Sequence, residues 1–338
     1  MKNKRLIAVV TVLLLTVSTT QAATLEIVKN KGFVQCGVST GIAGFSAPDD
    51  KGHWTGMDVD ICRSVAAAIF SNANKVKYIP LTAKERLIAL QSGEIDLLSR
   101  NTTWTLSRDT TMGLNFVGIN YYDGQGFMVN KDLGITSVLE LDGATVCTET
   151  GTTTELNLAD YFREHKMAYK AVVFDTADQT LMGFTSGRCD VLTTDQSQLY
   201  SLRFKLAKPD RVIVLPEIIS KEPLGPVVRQ GDDQWFNVIK WSLFALINAE
   251  EMGVTSKNVD ALKKSSTAPG IKRLLGVEGD MGKGLGLSND WAYNIIKLVG
   301  NYGEVFERNV GKDSPLKIER GLNALWSKGG LQYAPPIR

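Results

Sequence analysis

Three groups of residues in this 338-residue chain have the chemistry to hold a small charged solute. Arg108 closes the run Asn101-Thr102-Thr103-Trp104-Thr105-Leu106-Ser107-Arg108. A planar guanidinium pairs with a carboxylate through two parallel hydrogen bonds, and hydroxyls at Thr102 or Thr103 would complete such a site. Gly151-Thr152-Thr153-Thr154-Glu155 precedes a helical pattern. Thr153 or Thr154 is expected to cap that helix, whose first-turn amides attract an anion. Asp195 ends a short apolar run and can accept hydrogen bonds from an ammonium group. An Arg, a helix amino end and an Asp converging on one place are what a zwitterionic α-amino acid requires. Plainer readings stand beside these, a solvated surface Arg and a purely structural cap. The loop position of Arg108 weighs against the first, and the second stays open.

The elements that must position these groups echo one another. Arg86–Leu98 reads RLIALQSGEIDLL and Leu181–Leu192 reads LMGFTSGRCDVL. In both, an amphipathic helix ends at Ser-Gly, where glycine supplies the left-handed conformation that closes a helix. A charged residue, one apolar residue and an Asp follow, then a short buried strand. After each strand comes a polar cluster, Ser99–Thr103 in one half and Thr193–Ser197 in the other. Upstream, Phe33–Val38 and Ala144–Thr148 read as strands running into glycine-bearing loops, Ser39–Phe45 and Glu149–Thr154. Helical patterns follow over Val59–Phe70 and Glu155–Phe162. Strand–loop–helix–strand in both halves predicts two α/β lobes with mainly parallel sheets. Ligands of such sheets bind beyond the carboxyl ends of the strands, so two facing lobes would line one cleft with both polar clusters.

Charge and composition narrow the class. Lys+Arg is 38 against 36 Asp+Glu, and Lys2, Lys4 and Arg5 all precede a 12-residue apolar run at Leu6–Val17. Without that end the balance is 35 to 36, too even for a nucleic-acid or membrane-surface partner, which needs a field of one sign. Basic Met1–Arg5, the apolar run and small, polar Ser18–Ala22 read as a secretory leader over residues 1–22, cleaved after Ala22 or, second choice, Ala23. The apolar run is shorter than the ~20 residues of a bilayer span, which disfavours a retained anchor. No Cys follows it, which disfavours a lipid anchor. An exported, soluble protein is expected. Its four cysteines, Cys36, Cys62, Cys147 and Cys189, form no C-x-x-C pair, and His53 and His165 stand alone, so no zinc site and no metal or other cofactor is expected. The lobe layout favours Cys36–Cys62, from strand to helix, and Cys147–Cys189, from strand to strand, with buried free thiols as the alternative. Gly282-Lys283-Gly284-Leu285-Gly286 follows no strand pattern and is not read as a phosphate loop.

The stretch Gly44-Phe45-Ser46-Ala47-Pro48-Asp49, continuing through Gly52–Asp60, resembles the periplasmic polar amino acid-binding proteins (family 3) of ABC transporters. Ser99–Arg108, Tyr121–Gly126, Gly151–Glu155 and Gly187–Ser197 extend the resemblance. Val299–Glu304 and Arg320–Trp326 resemble the longer subgroup serving general L-amino acid or glutamate/glutamine/aspartate/asparagine uptake. The resemblance implies that Arg108, Thr103 and the amide of Thr153 grip an α-carboxylate, and that Asp195 takes the α-ammonium. Arg86, opening an R-x-x-x-L-x-x-G segment, would meet a side-chain carboxylate. Asn101 lies beside the ligand, and Arg100, where the family carries a small or polar residue, either reads the ligand side chain or pairs within the protein. The usual lid aromatic falls near Ile42, leaving Phe45 or Trp104 for that role, or for the core.

The fold implied is a type II, Venus-flytrap pair of lobes. Residues 24–120 plus 225–338 form the first, with a helical C-terminal extension, and residues 123–220 the second, joined by crossings near 120–126 and 219–227. Trp235, Ile239, Leu243 and Leu246 fall at helical spacing as core. The function implied is that of the periplasmic binding component of an amino acid ABC transporter, a monomer delivering its ligand to a membrane permease, and not an enzyme. A dehydratase-like enzyme on the same fold, or a ligand sensor, is the alternative. An enzyme would need a poised acid or base, and neither histidine has a catalytic setting.

Overall fold

The computed structural model describes residues 23–338, so the leader read from residues 1–22 lies outside the described residues. Helix α1 (Thr24–Lys31) leads into β1 (Val34–Val38), and the small hairpin β2 (Ala47–Pro48) and β3 (Trp54–Thr55) precedes α2 (Met57–Phe70). Strand β4 (Val76–Pro80), α3 (Arg86–Ser92), β5 (Leu97–Leu98), α4 (Leu106–Thr111) and β6 (Leu114–Phe116) follow. The chain crosses on β7 (Tyr121–Asp123) into β8 (Gln125–Asn130), β9 (Ala144–Glu149), α5 (Thr153–Glu164) and β10 (Tyr169–Phe174). It continues through α6 (Ala177–Thr185), β11 (Val191–Asp195), α7 (Gln196–Phe204) and β12 (Val212–Val214). It then returns on β13 (Glu222–Leu224) to β14 (Val227–Arg229).

Two five-stranded sheets result, in the orders β4-β1-β5-β14-β6 and β10-β9-β11-β8-β12. They are the same arrangement twice, mixed sheets whose parallel character, expected from the sequence, is broken by one reversed strand in each. In each, the three strands of the strand–helix–strand repeat and the outermost strand, β6 or β12, run one way, and only the fourth in order, β14 or β8, runs against them. The fourth strand is the one delivered by a crossing: β8 follows β7, and β14 follows β13. Strands β7 and β13 themselves pair as an antiparallel ribbon, Glu222 opposite Asp123 and Leu224 opposite Tyr121.

The helix stops lie where the Ser-Gly pairs placed them. Gly93 and Gly187 sit at φ +81° and +74° beyond α3 and α6, a region that costs any residue with a Cβ. Cys36 is bonded to Cys62 from β1 to α2, with Cα atoms 6.2 Å apart, and Cys147 to Cys189 at 5.6 Å. Among the described residues no thiol is free. Cys189 differs from expectation in lying just before β11, not on a strand. After Gly187 the chain is still turning there, held by Asp190, whose side-chain carboxylate accepts from the Thr145 amide at 3.0 Å.

The carboxyl-terminal third is helical: α8 (Asp233–Glu251), α9 (Val259–Ser265), α10 (Pro269–Leu274), α11 (Trp291–Leu298) and α12 (Tyr302–Asn309). Trp235, Ile239, Leu243 and Leu246 are fully buried on α8 in one cluster with β1 and α2. Trp235 Nε1 donates to Asp96 O at 2.9 Å, so the indole's polar edge is satisfied inside the core. Beyond the helices, Asn323 clasps the crossing: its Oδ1 accepts from the Tyr122 amide at 2.7 Å and its Nδ2 donates to Tyr122 O at 3.0 Å. Among the described residues, no helix is long and apolar enough to cross a membrane.

Candidate functional site

The candidate site lies where the polar loops after β5 and β9 and the β11–α7 junction meet the β7–β13 ribbon. Thr105 caps α4 by accepting from the Arg108 amide at 3.3 Å, which fixes Arg108 in the helix's first turn. Its guanidinium is buried, and Nη1 donates to Thr103 O at 2.9 Å. Burial holds its pKa below the ordinary Arg value, while Glu222 and Asp195 oppose that shift. Asp195 ends β11 and is itself buried. Burial pushes its carboxyl well above the usual carboxylate range, with Asp123 and Glu222 adding to the rise and Arg86 and an Asn101 hydrogen bond countering it. The two buried groups are therefore near enough for Asp195 to act on the charge of Arg108.

Arg86 opens α3, 3% exposed, with Nη1 donating to Arg100 O at 3.3 Å and Asn101 O at 3.4 Å. Its Nε has no hydrogen-bond partner among the described residues. Burial, and repulsion from Arg100 and Arg108, hold its pKa well below the ordinary value. Arg100 donates from Nε to Leu81 O at 2.9 Å and from Nη2 to Glu149 Oε1 at 3.3 Å. Of its two expected roles, pairing within the protein is the one this geometry displays. Asn101 adopts φ +28°, which a short polar side chain tolerates. Its amide donates to Asp58 Oδ2 at 2.9 Å, and its Nδ2 reaches across to Gln198 Oε1 at 3.2 Å. Burial raises the Asp58 carboxyl to about 6, and likewise that of Asp123.

The lobes touch across this cleft. Besides Arg100–Glu149 and Asn101–Gln198, Lys205 Nζ donates to Gly41 O at 2.7 Å. At Gly151 an added Cβ would lie 3.1 Å from the Lys84 Cα, in a backbone at φ +74°, so the β9–α5 loop approaches the other lobe only with glycine. The α5 cap is Thr152, accepting from the Glu155 amide at 3.3 Å, and neither Thr153 nor Thr154. The helix begins one residue earlier because Gly151 completes the turn, which leaves Thr153 as its first residue, its hydroxyl not used by the cap.

Phe45 is 1% exposed and packs edge-to-face on Tyr121, ring centroids 5.1 Å apart, within the first lobe's core. Trp104 is 38% exposed and stacks on Phe116 at 5.5 Å. Of the two lid candidates, then, only Trp104 has an open face.

The chain matches the bacterial extracellular solute-binding proteins, family 3, over residues 34–258. It belongs to that family. It is 62% identical over 342 residues, all of both chains, to the general L-amino acid-binding periplasmic protein AapJ of Rhizobium johnstonii. It is 51% identical over 338 residues, again all of both, to the glutamate/glutamine/aspartate/asparagine-binding protein BztA of Rhodobacter capsulatus. A periplasmic binding protein from Brucella ovis, solved with glutathione bound, superposes with a TM-score of 0.92 at 61% identity, covering 94% of this chain and all of the other. These relatives are named as binding proteins, and none supports the enzyme alternative.

One buried residue among these candidate site groups carries almost no signal in the sequence. Glu222, 1% exposed on β13, accepts at Oε2 from Thr103 Oγ1 at 2.6 Å and Thr153 Oγ1 at 2.8 Å. Its Oε1 accepts from Asn157 Nδ2 at 2.7 Å and Ser220 Oγ at 2.6 Å. No motif surrounds it. The only sequence signal is an acidic residue set in the return crossing between Ser220 and Pro223.

Proposed function

We propose that the protein captures a free L-amino acid between its lobes and delivers it to the membrane permease of an ABC transporter. What supports this most directly is that a guanidinium, Arg108, and a carboxyl group, Asp195, are both buried, with Asp195 near enough to favour the charged form of Arg108. Each is costly to bury alone, and the carboxylate and ammonium of an amino acid offset both costs together. In this reading Arg108 takes the α-carboxylate and Asp195 the α-ammonium. Arg86, whose Nε has no partner among the described residues, is proposed to meet a side-chain carboxylate or amide.

The relatives' ligands agree with that division. BztA is named for acidic amino acids and their amides, and AapJ for L-amino acids in general. The Brucella ovis protein holds glutathione, whose γ-glutamyl end carries the same free amino and carboxylate groups. Export by the residue 1–22 leader, a monomeric state, and lobes divided at 24–120 plus 225–338 against 123–220 belong to the same proposal. The ribbon β7–β13 is then the hinge. Ligand contacts made only in the closed form are what favour closure.

A thermal-shift series over the twenty L-amino acids and glutathione tests the reading. Glutamate, glutamine, aspartate and asparagine are expected to raise the melting temperature most. No shift with any of them would overturn amino acid capture, and shifts with aliphatic ligands alone would remove the role given to Arg86.

A further inference from the structure

The carboxylate of Glu222 sits among the groups that the family resemblance assigns to the ligand's own carboxylate. It receives four hydrogen bonds of 2.6–2.8 Å, two of them from Thr103 and Thr153, which belong to opposite lobes. An ionised carboxylate only accepts, and a threonine hydroxyl has one proton to give and two lone pairs to offer. Both hydroxyl protons are thereby spent on Glu222. The 3.3 Å contact between the two hydroxyls adds no free donor, since neither has a second proton.

Resting on the amino acid reading above, we infer that Glu222 sets the polarity of the head-group site. It turns Thr103 and Thr153 into acceptors that read the ligand's ammonium and not its carboxylate. Glu222 is then a specificity-determining residue on the hinge strand, acting through the two hydroxyls. The carboxylate is left to Arg108, of whose guanidinium nitrogens only Nη1 is engaged among the described residues, to Thr103 O. Displacing Glu222 to free the hydroxyl protons would break four charge-assisted bonds inside a buried pocket, so the carboxylate remains in place when ligand enters. The arrangement admits a free α-amino group and disfavours an acid that lacks one.

Calorimetry with L-glutamine and its desamino analogue, 4-carbamoylbutanoate, tests this on the wild type, Glu222→Gln and Thr153→Val. The wild type should prefer glutamine by about a hundredfold or more, the scale of a buried charged group left unpaired. Glu222→Gln should narrow that ratio about tenfold, because an amide leaves the hydroxyl protons partly free to serve a carboxylate. Thr153→Val should weaken glutamine about tenfold and leave the analogue within about twofold. Equal proportional losses for both ligands in the two variants would overturn the inference, and so would a larger loss for the analogue in Thr153→Val. Should Glu222→Gln fail to fold, Thr153→Val decides alone. Failure of the wild type to bind glutamine or any other amino acid would overturn the amino acid reading itself, and this inference with it. Binding without coupling between residue and ligand amine would overturn only the role of Glu222.

Discussion

Arg100 Nη2 lies 3.3 Å from Glu149 Oε1, and the two side chains, 4% and 5% exposed, come from opposite lobes. In the proposed flytrap motion, closing the cleft would bury this ion pair and opening it would return both charges to water. Removing one partner leaves an uncompensated charge in the closed form alone, at a cost of about 3–5 kcal/mol if the site does not relax. Glu149→Gln is therefore expected to weaken ligand binding about tenfold or more by penalising closure. The double variant Arg100→Met with Glu149→Leu should recover part of that loss, because no buried charge remains. A double variant whose loss equals the summed losses of Arg100→Met and Glu149→Leu made singly would show that the pair does not couple the lobes.

Burial lifts the Asp58 carboxyl from 3.8 to about 6. Between those values the folded chain holds a proton that the unfolded chain releases. This group's stabilising contribution is therefore complete below about pH 4 and is lost as the pH rises to about 6. Two units amount to about 3 kcal/mol. Asp58→Asn keeps an acceptor for the Asn101 amide and removes the titration. Denaturant unfolding should show the stability of the variant, relative to wild type, rising by about that amount from pH 4 to pH 7. A relative stability that is flat or falls would contradict the buried, charged state of Asp58.

Each disulfide stays within one sheet-and-helix unit, with sequence separations of 26 and 42. Loop-closure entropy gives about 3.5 and about 4 kcal/mol for these two spans. Reduction, or Cys147→Ala with Cys189→Ala, should lower the melting temperature while ligand affinity stays within about threefold, since neither bridge restrains motion between lobes. Loss of binding at a temperature where the reduced protein is still folded would show that a bridge positions the site.

The fold was legible wherever a local cause dictated it. Ser92-Gly93 and Ser186-Gly187 end helices because only glycine enters the left-handed region cheaply, and the apolar runs after them had no place but a sheet interior. The antiparallel fourth strands were not legible. Val227–Arg229 and Gln125–Asn130 take their direction from which lobe the crossing enters, a matter of tertiary connection. At the site, Arg100, Arg108, Asn101 and Asp195 stood out because polar residues cluster at or directly after short buried strands, whereas Arg86, at the start of α3, was marked only by the family resemblance. The α5 cap was misplaced by one or two residues because three consecutive threonines are equal candidates until the Gly151 turn is known. Glu222 was invisible for a different reason: its partners come from positions 103, 153, 157 and 220, and no spacing in the sequence brings them together. The Asn323 clasp on Tyr122 is likewise a contact across 201 residues.

The central claim is that one cleft holds a positive and a negative grip for the head group of a free amino acid. Its most direct measurement is a calorimetric titration of L-glutamine into the wild type, Arg108→Ala and Asp195→Ala. Each variant is expected to bind more weakly by about 2 kcal/mol or more, some thirtyfold in Kd. Wild-type affinity in both variants would contradict the account.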